Sequence, residues 1–280
     1  MSRERLKIGV VATASRMSPE VAERVPALAR ALYGEAAPEI VFHPDVLASA
    51  GHFAGDDATR ARAFLDVAND PGFDALWFAR GGYGACRIAE AVLAGLQPAA
   101  RAKTYLGYSD AGALLAGLYR AGFPHLAHGP VAQDILRDGG EAAIARALAW
   151  LIDRAPGTLE PSLGDGRKAA AFNLTVFSQL LGTPLEPDLT DHVLMLEEVS
   201  EATYRIDRSF FHVTGNPSVR RVAGIRLGRC SLIPPNDPDF GMDEAAVARF
   251  WCERSGIPWL GRADIGHDAD NKIVPFGAAA

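Results

Sequence analysis

Residues 104 to 122, Thr104-Tyr-Leu-Gly-Tyr-Ser109-Asp110-Ala-Gly-Ala-Leu-Leu-Ala-Gly-Leu-Tyr-Arg-Ala-Gly122, read as a short buried strand that turns sharply into a helix, with Ser109 at the corner. A hydroxyl at such a corner is pushed out of the turn. The backbone N–H groups that open the helix are free to stabilise a developing oxyanion. Gly107 and Ala111, two residues to either side, keep the turn small, as a Gly-x-Ser-x-Gly elbow requires. The chemistry would be acyl transfer by a serine nucleophile. The same spacing also suits an N-cap serine at an ordinary strand-to-helix junction.

A serine hydroxyl needs a base, commonly a histidine oriented by a carboxylate. Seven histidines are available, and spacing does not choose among them: His43, His52, His125, His128, His192, His212 and His267. His267 follows a glycine in Ile265-Gly-His-Asp-Ala-Asp-Asn271, a loop that suits a functional group as well as a backbone-bonded histidine. His125 and His128 lie three apart on an extended segment, where they face opposite ways, so no metal site is expected. Among carboxylates, Glu197 and Glu198 interrupt the apolar run Val193-Leu-Met-Leu196. Strand parity turns one of them inward and the other to solvent. An inward carboxylate needs a partner, which a histidine or an arginine would supply, and Arg205 and Arg208 are structural candidates for it.

The elements that must position these groups come in two kinds. Apolar runs at 6–12, 40–43, 75–79 and 104–108 alternate with helical stretches at 19–33, 57–69, 85–93, 109–122 and 140–153, and a short strand is expected near Leu126. This alternation predicts βαβ units on a parallel sheet. Ala155-Pro-Gly-Thr-Leu-Glu-Pro-Ser-Leu-Gly-Asp-Gly166 lacks periodicity and is expected to link a domain at 1–154 to a smaller, β-rich one at 167–280. In that second half, strands are predicted at 193–199, 219–227 and 230–233, with helices near 173–181 and 243–255.

Composition narrows the partners. A formal net charge of −6 argues against a general nucleic-acid binder. The start, Met1-Ser-Arg-Glu-Arg-Leu-Lys-Ile-Gly-Val-Val-Ala12, is too briefly apolar for a signal segment or a membrane span, so a cytoplasmic chain without membrane partners is expected. Cys86, Cys230 and Cys252 are widely spaced, which fits reduced thiols better than disulfides or zinc. The oligomeric state is not legible, with a homodimer one candidate.

Three stretches together resemble the LD-carboxypeptidase family of serine peptidases. They are Ala79-Arg-Gly-Gly-Tyr-Gly-Ala-Cys-Arg87; Gly107-Tyr-Ser-Asp110 with Ala127-His-Gly-Pro130; and Leu196-Glu-Glu-Val199 with Tyr204-Arg-Ile-Asp-Arg208, Gly266-His267, Asn271 and Pro275-Phe-Gly277. The resemblance runs in order from residue 8 to 277. It implies an α/β architecture: an N-terminal flavodoxin-like parallel-sheet domain, similar to class I glutamine amidotransferases, and a smaller C-terminal swivelling β/β/α domain. It implies Ser109 as nucleophile, Glu197 as the carboxylate and His267 as general base, split between the domains, so that a hinge at 155–166 would separate nucleophile from base. No cofactor or metal is implied.

With that assignment, the amides of Gly81, Gly82 and Asp110 are candidates for the oxyanion hole. Arg80 is the first candidate for a terminal carboxylate, or else an ion pair bracing its turn. Tyr83, Phe172 and Asn173 complete the expected substrate-binding set. Ala171-Phe172 stands where the family usually has two glycines, and Asp268-Ala-Asp270 is unusually acidic; both bear on substrate. The expected activity is release of D-alanine from a murein tetrapeptide in peptidoglycan recycling. Two alternatives are a microcin C immunity peptidase, cleaving an aminoacyl-nucleotide amide with Phe172 as the base platform, and a non-catalytic flavodoxin-like binding protein.

Overall fold

In the computed structural model, which describes residues 5–278, the alternating runs of the first half become β1 (Lys7–Val11), α1 (Glu20–Tyr33), β2 (Glu39–Phe42), α2 (Asp57–Asn69) and β3 (Ala75–Phe78). They continue with α3 (Ala85–Gly95), β4 (Thr104–Gly107), α4 (Gly112–Arg120), β5 (Leu126–His128) and α5 (Gly140–Asp153). The readings on Met1 to Glu4 and on the last two residues of 167–280 lie outside the described residues. The local causes are plain in α2, where the Asp56 carboxylate accepts the Thr59 N–H at 2.7 Å and so starts the helix. Strands β1 to β5 are mutually parallel in the order β2-β1-β3-β4-β5. This is the doubly wound flavodoxin-like order, which favours a site at the carboxyl ends of the strands.

The second half holds β6 (Lys168–Asn173), α6 (Leu174–Leu180), β7 (Val193–Val199), α7 (Thr203–Gly215), β8 (Gly224–Ser231), α8 (Glu244–Ser255) and β9 (Trp259–Arg262). Two short strands follow, β10 (Val274–Pro275) and β11 (Gly277–Ala278). Strands β6 to β9 are parallel, and β11 runs antiparallel along β6. The expected strand at 219–227 begins only at Gly224, because residues 219–221 coil into a 3-10 turn, and its run continues through Cys230 as one strand. Strands β6 and β9 and helix α7 were not expected.

The two halves share a core. Leu114 and Leu118 of α4 belong to the same apolar cluster as Phe172, Phe177, Leu194 and Phe210. The connecting segment 155–166 is bonded to the second half: Glu160 N–H donates to Ile273 O at 3.0 Å, and its carboxylate accepts the Asp264 N–H at 3.1 Å. Strand β10 leaves the second half and pairs antiparallel with β5, Val274 opposite His128 and Pro275 opposite Ala127. Among the described residues, no helix is long and apolar enough to cross a membrane.

Candidate active site

Strand β4 delivers the chain to Ser109 at its carboxyl end. Gly107 lets the strand pass Phe78, whose ring would lie 2.6 Å from any added Cβ. Ser109 then takes φ of 61°, a left-handed conformation that a serine adopts at a cost of about 1 kcal/mol or more. A 3-10 turn over Ser109–Ala111 leads into α4, and the serine side chain caps none of its amides. The hydroxyl points away from the helix instead, with Oγ 3.0 Å from Nε2 of His267.

His267 sits in the loop after β9, and Glu197 near the end of β7. Nδ1 of His267 lies 2.5 Å from Oε2 of Glu197, which is completely buried. A carboxylate there fixes the tautomer: Nδ1–H donates to Glu197, leaving the Nε2 lone pair for the serine proton. Burial alone would lower the imidazole pKa, but the charge and hydrogen bond of Glu197 outweigh it and hold the pKa above 6.5. Three of the sequence-predicted residues therefore meet in one relay, although they come from two sheets.

The histidine loop is braced from several sides. Arg229 grips Asp268 at 2.5 and 2.8 Å and Asp264 at 2.5 Å. The side chain of Asn271 accepts from the Gly266 N–H at 3.2 Å and faces Nε2 of His128 at the same distance. Burial drives His128 down to about 3, so it stays neutral. The acidic Asp268 thus holds the loop and does not line the cavity. Arg205 bonds Glu201, and Arg208 lies over the Tyr204 ring, so neither serves Glu197. Strand parity fails at Glu198, which is also buried; it accepts from Asn173 Nδ2 at 2.7 Å, Thr175 N at 2.9 Å and Val199 N at 2.8 Å. Both faces of this sheet are covered, so both parities are interior.

On the other side of the hydroxyl, Gly81 is so close that an added Cβ would stand 2.8 Å from Ser109 Oγ and 4.0 Å from the Asp110 amide nitrogen. Gly82, at φ of 122°, would meet Ser15 Oγ at 2.3 Å. The Asp110 carboxylate accepts the Ala85 N–H at 2.8 Å, tying the glycine loop to the serine turn. Burial raises its pKa to about 6, against the opposing bonds from the Ala85 and Gly84 amides. The Asp110 amide itself opens a helical turn, where N–H groups lack intrahelical acceptors. A cavity of about 450 Å³ opens over this centre, lined by Arg80, Gly81, Ser109, Arg137, Val199 and His267 among others.

A family model described as the LD-carboxypeptidase N-terminal domain matches residues 8–129, and the C-terminal domain model of the same family matches residues 168–280. The chain belongs to the LD-carboxypeptidase family. A carboxypeptidase-named protein of Synechocystis sp. is 33% identical over 250 residues, covering 86% of this chain and 80% of that protein. The murein tetrapeptide carboxypeptidase of Pseudomonas aeruginosa is 25% identical over 248 residues, covering 82% and 78% respectively. Among solved structures, muramoyltetrapeptide carboxypeptidase from Oxalobacter formigenes superposes with a TM-score of 0.78 at 20% identity, covering 97% of this chain and 92% of that one. MccF in complex with glutamyl sulfamoyl guanosine gives 0.78 at 17% identity, covering 97% and 91%. At these identities the two structures establish a shared fold.

Within this LD-carboxypeptidase fold, the expected substrate set divides. Arg80 lines the cavity and donates from Nη1 to Arg16 O at 3.0 Å, which braces the turn. Tyr83 is exposed but sits outside that cavity, beside Phe53 and His52. Phe172 is 1% exposed, stacked on Phe177 with centroids 5.0 Å apart, so the expected aromatic platform is a core ring with no free face. Asn173 is buried as the cap of α6, its Oδ1 accepting the Val176 N–H at 3.0 Å. Sequence reasoning missed Arg137 and Tyr108, which line the cavity against His267. Tyr108 lies inside the quoted Gly107-Tyr-Ser-Asp110 stretch and Arg137 beyond the Ala127-His-Gly-Pro130 one, but nothing in their spacing marks them. Among the described residues, no group of three or more His, Cys, Asp or Glu could hold a metal ion.

Proposed function

We propose that this chain is a serine LD-carboxypeptidase that releases the terminal D-alanine of murein tetrapeptides, a cytoplasmic step of peptidoglycan recycling. The observation that carries the reading is the Ser109–His267–Glu197 relay, at 3.0 and 2.5 Å, facing a 450 Å³ cavity. In this reading Ser109 Oγ attacks the amide carbonyl while His267 Nε2 takes the hydroxyl proton. Glu197 stabilises the imidazolium, and the amides of Asp110 and Gly81 receive the oxyanion. The C–N bond breaks as His267 passes the proton to the departing D-alanine amine. Water, deprotonated by the same imidazole, then hydrolyses the acyl-enzyme. The Pseudomonas aeruginosa relative, a murein tetrapeptide carboxypeptidase, supports the substrate class. The buried position of Phe172 removes the feature that favoured a nucleotide-bearing substrate.

The test is incubation of the full chain with a murein tetrapeptide ending in D-alanine, following tripeptide and free D-alanine by mass spectrometry, with Ser109→Ala beside it. Release by the wild type and not by the variant supports the proposal. No release, or equal release by both, refutes it. A parallel arm with an aminoacyl sulfamoyl nucleoside distinguishes an immunity-peptidase substrate. Binding of either compound without turnover points to the non-catalytic alternative.

A further inference from the structure

Arg137 lies in the segment between β5 and α5, far in sequence from the loop that carries His267. Its guanidinium nonetheless donates from Nη1 to the backbone O of His267 at 2.7 Å. Nη2 donates to the Tyr108 hydroxyl at 3.1 Å, and Nε to Oδ1 of Asp134 at 2.6 Å. The Tyr108 hydroxyl in turn meets Asp134 at 3.2 Å, and the Tyr108 ring packs on the imidazole with centroids 4.8 Å apart. Asp134 is almost fully buried, and a carboxylate in that position is costly unless paired. Three acceptors from three parts of the chain are thus held by one planar fork, a geometry that lysine does not reproduce. The fork joins the half of the molecule that bears Ser109 to the loop that bears His267.

We propose that Arg137 is the positioning residue that sets His267 against Ser109 across the two halves of the fold. The inference rests on the serine-nucleophile reading above. Without the fork, the histidine loop keeps its braces from Arg229 and from Arg146 of α5, whose Nη1 donates to Ala269 O at 2.7 Å and Asn271 O at 3.1 Å, but the backbone of His267 itself loses its tie to Tyr108, the neighbour of Ser109. Small misplacements of this kind cost about 100-fold in well-aligned proton transfers. The guanidinium also acts on the base electrostatically. The charged and titratable groups acting on the imidazole are Glu197, in direct contact, Glu198 on the same strand, His128 of β5 and Arg137, with Tyr108 against its face. Arg137 lowers the imidazole pKa against the raising effect of Glu197 and Glu198.

Phosphonylation by a fluorophosphonate probe tests this without a peptide substrate. Ser109 Oγ forms the O–P bond, fluoride leaves, and His267 accepts the hydroxyl proton. Intact-mass labelling rates are measured across pH for wild type, Ser109→Ala, Arg137→Lys, Arg137→Gln and the double variant Asp134→Asn/Arg137→Gln. The double variant removes the unpaired carboxylate that could unfold Arg137→Gln. Expected are labelling of the wild type but not of Ser109→Ala, rates about 10- to 100-fold lower in the glutamine variants, and their acid limb moved to higher pH. Arg137→Lys should restore the acid limb but not the rate. If the wild type does not label, or Ser109→Ala labels equally, the nucleophile reading fails and takes this inference with it. If those controls behave while the folded double variant labels at the wild-type rate with an unmoved limb, the inference alone is overturned.

Discussion

Gly81→Ala adds one methyl group beside the nucleophile and nothing else. The backbone at Gly81 is not left-handed, unlike that of Gly82, so alanine brings no conformational penalty of its own. The new carbon would stand 2.8 Å from Ser109 Oγ and 2.9 Å from its Cβ. Ordinary contact lies near 3.5 Å, so the hydroxyl or the loop must yield by about 0.6 Å. If the hydroxyl yields, the 3.0 Å step to His267 stretches to about 3.6 Å, past hydrogen-bond reach. If the loop yields, the Gly81 amide leaves the oxyanion. Either way the reaction loses alignment worth about 100-fold, or roughly 2.7 kcal/mol of barrier. The assay is kcat/KM for D-alanine release beside the melting temperature of the same preparations. The expected pattern is a large kinetic loss with little change in Tm. Gly82→Ala, strained at φ of 122° and pressed on Ser15 at 2.3 Å, should instead lower Tm. A Gly81→Ala enzyme with wild-type kcat/KM would refute the assignment of this glycine to the reacting centre.

Other outcomes follow from the same geometry. Glu197→Gln should reduce kcat by about 10,000-fold, because an amide no longer enforces the productive imidazole tautomer. The pH profile of kcat/KM checks the same pair: His267 must be neutral to accept the serine proton, so the wild-type acid limb should fall above 6.5, and Glu197→Gln should move it down. Asp110 binds its proton more tightly when folded, at about 6 against 3.8 unfolded, so its contribution to stability is present below 3.8 and lost as pH rises through 6. Chemical denaturation of Asp110→Asn across that window should show a difference from wild type of about 3 kcal/mol between its ends; a flat difference would contradict it. Of the thiols, exposed Cys86 should react quickly with a disulfide reagent, whereas Cys252, pushed by burial up to about 12, and Cys230, pushed higher still, should react only on unfolding.

Much of this was legible because local causes acted alone. Helix α2 has its cap at Asp56, and β4 ends on a glycine that must pass a ring. What was missed depended on packing. The alanine-rich run 168–173 reads as a helix former, yet between β7 and β11 its small side chains suit a strand interior on both faces. Helix α7 has Ala202 at its N-cap, with no side chain to cap it, so nothing local announces it. Alternation foretold that one of Glu197 and Glu198 would meet solvent, but both are buried, and Glu198 became the anchor of Asn173. Phe172 and Tyr83 stand away from the cavity lining for a similar reason, since a motif does not tell which neighbour a ring will face.

The crossing of residues 273–278 has a bearing on how such proteins can be recombined. Ile273 is bonded into the connecting segment, Val274 lies against His128 in one sheet, and Gly277 against Ala169 in the other. A chimera joined between 155 and 166 would take β5 from one parent and its β10 neighbour from the other. It would mismatch the edge of the first sheet even if each parental half were intact. The exchangeable unit is therefore not a continuous half of the chain, and a working swap must carry β10 together with the strand it completes.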